Sequence, residues 1–253
     1  MIVPSYRDRE HIVANLRRLT TALDATGATW EVLVVVDGDA ETFRRASAAV
    51  SGAVRVFSSP RNVGKGFALR CGMAHARGEY VTFIDSDMEI GPEEIGRMLS
   101  LLRLYDADIV VGSKRHPMSQ VRYPLLRRVQ SAGYHRLCRM LFRVKVHDTQ
   151  TGLKLMRREV SEDVLRVALV KRFAFDLELL AIADHLGYDR IIEAPVTIDY
   201  AFSSTTNLGA VFWVLVDTAA IFYRLYLRRS YSQARSHGRE RVDRATLLEA
   251  TQT

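Results

Sequence analysis

The chain has 253 residues, 48% of them hydrophobic, enough to bury the core of one full domain or of one domain with an appendage. Its two cysteines, Cys71 and Cys138, lack CxxC spacing, which excludes a disulfide scaffold or a zinc finger and suits a reducing compartment. The net charge of +7 is local: Lys114, Arg115, Arg122, Arg127, Arg128, Arg136, Arg139 and Arg143 crowd one segment. With no recognition motif and no interleaved aromatics, that cluster points away from nucleic acid and toward phosphate at a membrane surface.

Charged residues follow the first few positions closely, so no secretory signal is expected. Met1-Ile2-Val3 is short for a first strand, which would run about 5 or 6 residues, and the natural start is expected upstream of Met1. Ile12, Leu16, Leu19 and Leu23 then mark one face of a helix. Residues 31–37 (EVLVVVD) form a β-branched run typical of a strand buried on both faces, and 54–57 a shorter strand. A helix is predicted over 64–77, stopped by Gly78. Strand 80–84 follows, and Pro92 opens a helix with Glu93 and Glu94 in its first turn. Residues 108–112 form another strand. Repeated strand–helix units imply an α/β fold, a mainly parallel sheet with helices on both faces and ligands at the carboxyl ends of its strands. Ser5, Tyr6, Asp37, Asp85, Asp87 and Ser113–Arg115 fall there.

Further along, 119–143 reads as a basic helix or helix pair and 147–157 returns toward the sheet. Residues 174–186 form a helix carrying Asp176 and Glu178, and 190–200 a last strand broken by Pro195. Residues 208–227 are apolar enough to suggest a membrane span of roughly 20 residues. Asp217 at the centre, which would cost on the order of 3 kcal/mol at mid-bilayer, and Arg224 argue against it. Trp213, Phe212, Phe222, Tyr223 and Tyr226, followed by Arg228 and Arg229, suit a helix in the membrane interface; a core helix is the alternative. The expected organisation is a catalytic domain over 1–206, an apolar amphipathic helix over 207–229 and a disordered basic tail over 230–253.

The densest segment is 62–89, where a glycine-lysine-glycine turn, a helix and a buried strand lead to Asp85-Ser86-Asp87. A lone Asp-x-Asp is usually a solvated turn. After an apolar strand, with Glu89 as a third oxygen donor, it suits a divalent cation carrying a nucleotide diphosphate.

PSYRDRE (4–10), EVLVVVDGD (31–39), NVGKGFALRCGMAHARGEYVTFIDSD (62–87), VGSKR (111–115), RRVQS (127–131), DTQTGLKL (148–155) and RFAFDLELL (172–180) carry a resemblance. Over roughly residues 2–227 the chain resembles family 2 glycosyltransferases of the GT-A fold. More narrowly it is similar to the dolichyl- and polyprenyl-phosphate sugar synthases, the glucose-transferring branch most nearly. The resemblance implies that Pro4, Tyr6, Asp8, Asp37, Lys65, Asp85 and Ser86 bind a nucleotide sugar, UDP-glucose or GDP-mannose. Asp85, Asp87 and Glu89 would hold Mg2+ or Mn2+, and Arg115, Arg127 and Ser131 the phosphate of a polyprenyl acceptor. Asp85, Asp87, Asp148 and Asp176 would be the catalytic carboxylates. The chain departs from the pattern at Val36, where an aspartate is usual, at Asp39 for serine, Asp8 for glutamate and Glu89 for glutamine. Taken singly, Asp37 is equally a turn cap, Lys65 a solvated lysine, and Asp176 and Glu178 paired core carboxylates.

The implied activity is inverting transfer of a hexose, glucose first, to a polyprenyl or dolichyl phosphate by a metal-dependent enzyme held peripherally on the cytoplasmic face of the membrane. A GDP-mannose-dependent mannosyltransferase and a non-catalytic, membrane-peripheral protein of the same fold are the alternatives.

Overall fold

The computed structural model of the protein describes residues 1–50, 52–121, 125–142, 144–198 and 208–231, with the side chains of 125–132, 208 and 210 left aside. Arg127 and Ser131 therefore lie outside the described side chains, and the tail beyond 231 outside the described residues. Among the described residues nine strands run in chain order: β1 Ile2–Ser5, β2 Val32–Asp37, β3 Val54–Ser59, β4 Tyr80–Phe83, β5 Ile109–Ser113, β6 Gln120–Val121, β7 Lys154–Arg157, β8 Ile191–Pro195 and β9 Thr197–Ile198. The helices are α1 Ile12–Asp24, α2 Ala40–Ala49, α3 Lys65–His75, α4 Glu94–Leu104, α5 Leu125–Leu141, α6 Arg158–Val167, α7 Phe175–His185 and α8 Leu208–Phe222.

Seven strands form one sheet in the order β3-β2-β1-β4-β7-β5-β8, and β6 pairs with β9 in a small ribbon. All neighbours in the large sheet are parallel except β7, which is antiparallel to both β4 and β5. Helices cover both faces, because side chains alternate along a strand. Ile2 and Leu33 pack with Leu69, Val160 and Leu177 on one face. Val3, Val32, Val34 and Val36 pack with Ile12, Leu16, Ile95 and Met98 on the other. The mainly parallel α/β sheet is as the sequence implied.

Several boundaries differ from the sequence reading. Helix α3 ends at His75, before Gly78. Ala76 is extended, because the Arg77 amide donates to Glu31 Oε1 at 2.5 Å and its carbonyl accepts from Arg158 Nη1 at 2.6 Å. Helix α4 begins at Glu94, after a turn in which Ile95 N reaches the Pro92 carbonyl. Helix α2 escaped the sequence reading, although Asp39 caps it by accepting from the Thr42 amide and hydroxyl.

Helix α8 ends in a wide turn over Tyr223–Leu227, closed by Arg228 N on the Tyr223 carbonyl. One side is docked: Thr218, Ile221, Leu225 and Tyr231 are buried, and the Thr218 hydroxyl meets Tyr134 Oη at 2.8 Å. The other side exposes Val211, Phe212, Trp213, Leu215, Val216, Tyr223, Tyr226 and Leu227. Among the described residues, no helix is long and apolar enough to cross a membrane.

Candidate active site

The carboxyl ends of β1, β2, β4 and β5 converge on one edge of the sheet. Because β7 runs the other way, its first residue joins them: Lys154 pairs with Phe83 of β4 and with Val111 of β5. At this edge a small open cleft is lined by Asp85, Asp87, Glu89, Lys114, Gly152 and Leu153 among others. A side chain at Gly152 would displace the Asp85 carboxylate, because a Cβ there would run into its oxygens.

Asp85 and Asp87 follow β4 directly. Asp87 retains solvent access at its edge, yet partial burial, aided by the charges of Asp85 and Glu89, pushes its carboxyl up to about 6. Glu89 turns toward Lys114, with Nζ 3.6 Å from Oε2. The expected three-carboxylate ligand set is not gathered: among the described residues no group of three acidic, histidine or cysteine side chains is placed to hold a metal. Two carboxylates with hard oxygens, one of them already paired with Lys65, still fit Mg2+ or Mn2+, since such ions are often held by one or two carboxylates plus substrate phosphates.

Behind the cleft runs a chain of ion pairs. Lys65 Nζ lies 2.7 Å from Asp85 Oδ1 and 3.3 Å from Asp176 Oδ2. The other Asp176 oxygen accepts from Lys154 Nζ at 2.6 Å, and Lys154 also donates to the Thr151 carbonyl at 2.5 Å. Burial pushes the Asp176 carboxyl up, but Lys154 and Lys65 outweigh it and hold it below the usual range. Both Asp176 oxygens are thus engaged by ammonium groups, a poor setting for a proton acceptor. Lys154 is fully buried and escaped the sequence reading; its signal was a lysine between two leucines in a strand-like run.

Lys65 is the first residue of α3, in a turn that leaves little room. Gly64 has φ +124°, and a Cβ on it would meet the Lys171 carbonyl at 2.3 Å. Phe67 N also donates to that carbonyl at 3.1 Å. The loop 168–173 that braces the turn is held in its turn by Glu178, which accepts from the amides of Leu169 and Val170 and from Tyr231 Oη. Arg172, on the same loop, lies 4.0 Å from the Trp213 ring centroid of α8.

The predicted nucleotide residues lie along the same edge. Pro4 is buried in β1, Tyr6 is exposed under the Arg7 guanidinium, and Asp8 faces Ser86, with burial pushing its carboxyl up. One Asp8 oxygen is buried without a hydrogen-bond partner among the described residues. The Ser86 carbonyl accepts from Asn15 Nδ2 at 2.7 Å. Asp37 is occupied with its own loop, accepting from Ser59 Oγ at 3.0 Å, Val63 N at 2.8 Å and Gly64 N at 2.6 Å. Asp39, at the serine position of the motif, caps α2 and pairs with Arg9 at 2.6 Å.

Beyond Lys114 the surface is basic. Burial pushes the His135 imidazole down, and Arg115, Arg139 and His147 add to the effect against the opposing charge of Asp148. His147 Nδ1 lies 2.7 Å from Glu193 Oε2. Asp148 accepts from Lys114 N at 3.0 Å and from Gln150 N at 3.2 Å, which shapes this loop.

The mainly parallel seven-stranded sheet is like that of GT-A glycosyltransferases. Residues 1–165 match the model of the Glycosyl transferase family 2, and the chain belongs to that family. It is similar to the dolichyl-phosphate beta-glucosyltransferase ALG5C of Trichomonas vaginalis, 28% identical over 239 residues, covering 88% of this chain and 71% of that one. The dolichyl-phosphate beta-glucosyltransferase of Homo sapiens is 27% identical, covering 89% and 74%. That of Drosophila melanogaster is 31% identical, covering 74% and 62%. Among solved structures, the glucosyl-3-phosphoglycerate synthase of Mycobacterium tuberculosis in complex with Mn2+, UDP-glucose and phosphoglyceric acid shares the fold. Its TM-score is 0.68 at 21% identity, over 88% of this chain and 77% of that one.

Proposed function

We propose that the chain transfers glucose from UDP-glucose to a dolichyl or other polyprenyl phosphate, with inversion, at the cytoplasmic face of a membrane. The observation that carries this is the Asp85–Asp87 cleft, with Lys114 in its lining and Arg115 next to it in the chain. The names of the relatives supply the sugar and the acceptor. Asp85 and Asp87 would hold Mg2+ or Mn2+, whose Lewis acidity offsets charge developing on the departing diphosphate. Mn2+ and UDP-glucose in the Mycobacterium tuberculosis structure support that choice.

Pro4, Tyr6, Asp8 and Ser86 would border the base and ribose, and Asp37 would act by fixing the loop that carries Lys65. An acceptor phosphate monoester has a second pKa near roughly 6, so at neutral pH it is largely dianionic and needs no general base. Asp148 and Asp176 then act as positioning residues, Asp148 by shaping the loop after β5 and Asp176 by holding Lys65. Arg115, with Arg127 and Ser131 on α5, would grip the acceptor phosphate through charge-assisted hydrogen bonds. In-line attack on an α-linked donor gives a β-linked lipid-phosphate sugar.

The test is transfer from a panel of nucleotide sugars to dolichyl phosphate with Mn2+ or Mg2+. UDP-glucose should be used best. Preference for GDP-mannose would replace glucose with mannose, and no transfer from any donor would remove the reading. Arg115→Ala should raise the KM for the acceptor about ten-fold or more while the KM for the donor changes little. Equal loss for both substrates would dissolve the two-site arrangement.

The exposed face of α8, with eight large apolar side chains, would lie in the membrane interface and bring the cleft to headgroup depth. Phe212→Asp with Leu215→Asp should release most of the protein from phosphatidylserine vesicles in flotation without lowering its melting temperature. Full retention on vesicles would place the membrane contact elsewhere.

A further inference from the structure

The ion-pair chain behind the cleft is balanced as it stands, with Asp85 and Asp176 facing Lys65 and Lys154. A divalent cation on Asp85 would bring two further positive charges against Lys65, whose ammonium group already touches an Asp85 oxygen. The two lysines differ in freedom. Lys154 sits inside the sheet, its strand paired on both sides and its side chain fully buried. Lys65 sits at the start of α3 with its ammonium group on the cleft residue Asp85 and its side chain partly exposed, while its backbone is locked by Gly64, Gly66 and the carbonyls of loop 168–173. Four rotatable bonds therefore allow its ammonium group to move while its backbone stays in place.

We propose that Lys65 is an exchangeable internal cation: it holds Asp85 until a divalent cation takes that oxygen, and then transfers to the donor diphosphate. Lys154 is the positioning residue that keeps Asp176 in place during the exchange. This inference rests on Asp85 and Asp87 as cation ligands, and it makes metal and nucleotide binding mutually dependent. Metal on Asp85 frees Lys65 for phosphate, and phosphate capturing Lys65 frees Asp85 for metal.

The experiment is titration of Mn2+ by electron paramagnetic resonance, with and without UDP, on wild type, Lys65→Met and Lys65→Arg. Removing a charge in direct contact with a ligand should tighten Mn2+ alone about ten-fold in Lys65→Met. The enhancement of Mn2+ affinity by UDP should shrink by about the same factor, since coupling is reciprocal. Lys65→Arg should stay near wild type for Mn2+ alone, because it keeps the charge. If Lys65→Met does not fold, Lys65→Gln replaces it with the same expectation. Damage to the site would weaken Mn2+ binding, so the expected gain separates displacement from structural support. A folded Lys65→Met or Lys65→Gln that binds Mn2+ no more tightly than wild type overturns the proposal, as does a gain in Lys65→Arg equal to that of Lys65→Met. Wild type that binds no Mn2+ even with UDP overturns the reading of the cleft itself, and this inference with it.

Discussion

Asp87→Asn is expected to lower glucosyl transfer by about a thousand-fold or more, a loss of the size seen when a transition-state charge loses its counterpart. The substitution keeps the shape of the side chain and removes one of the two carboxylates proposed to hold the cation. Because burial and the charges of Asp85 and Glu89 raise the Asp87 carboxyl to about 6, its ionised form costs the fold stability. The sign follows from linkage. An acid whose pKa rises on folding binds more protons in the native state, so stability falls as pH rises toward about 6, and the cost is complete above it. The neutral asparagine removes that cost, so the melting temperature at pH 7 should stay level or rise while activity disappears. Transfer within ten-fold of wild type, or a melt that falls with activity, would refute the assignment.

What was legible in the sequence was legible because it is local. An apolar strand ending in Asp-x-Asp declares both its burial and its acidic tip within a few residues, and β4 with Asp85 and Asp87 stands where that pattern put it. Strand β7 is different. It enters between β4 and β5 and runs against both, so the meeting of Lys154 with Asp176, and of Gly152 with Asp85, depends on pairing across the sheet. No window of sequence contains those contacts. Glu89 was read as a ligand from its place after Asp-x-Asp and from the resemblance, and here it faces Lys114, from the end of another strand. Asp39 was read as a motif departure, whereas its neighbours Arg9 and Thr42 make it a helix cap. Helix α8 is apolar nearly all round, so periodicity could not say which side is docked. That was decided by Tyr134, Phe142 and the core of α7.

Glu178→Ala is expected to be the most destabilising single change at the site, by about 3–5 kcal/mol, the range for removing one partner of a buried charged network. Glu178 is fully buried and accepts from Leu169 N at 3.1 Å, Val170 N at 2.8 Å and Tyr231 Oη at 2.6 Å, with Arg224 Nη1 at 3.5 Å. Alanine leaves two amides and a hydroxyl without their acceptor and the Arg224 guanidinium without its nearby counter-charge, and Glu178→Gln turns an amide NH2 toward donors it cannot satisfy. In a chain of this length the loss should lower the melting temperature by roughly 10 °C, whereas Tyr231→Phe, which removes one donor, should cost about 1 kcal/mol. The damage should also be directional. Loop 168–173, which Glu178 holds, braces the Lys65 turn on one side and carries Arg172 against Trp213 of α8 on the other. UDP affinity and vesicle binding should therefore both weaken in Glu178→Ala at temperatures where the sheet is still folded. A melt within roughly 3 °C of wild type would mean that the loop is held by its other contacts. A large drop in stability with UDP affinity intact would mean that the Lys65 turn stands without it.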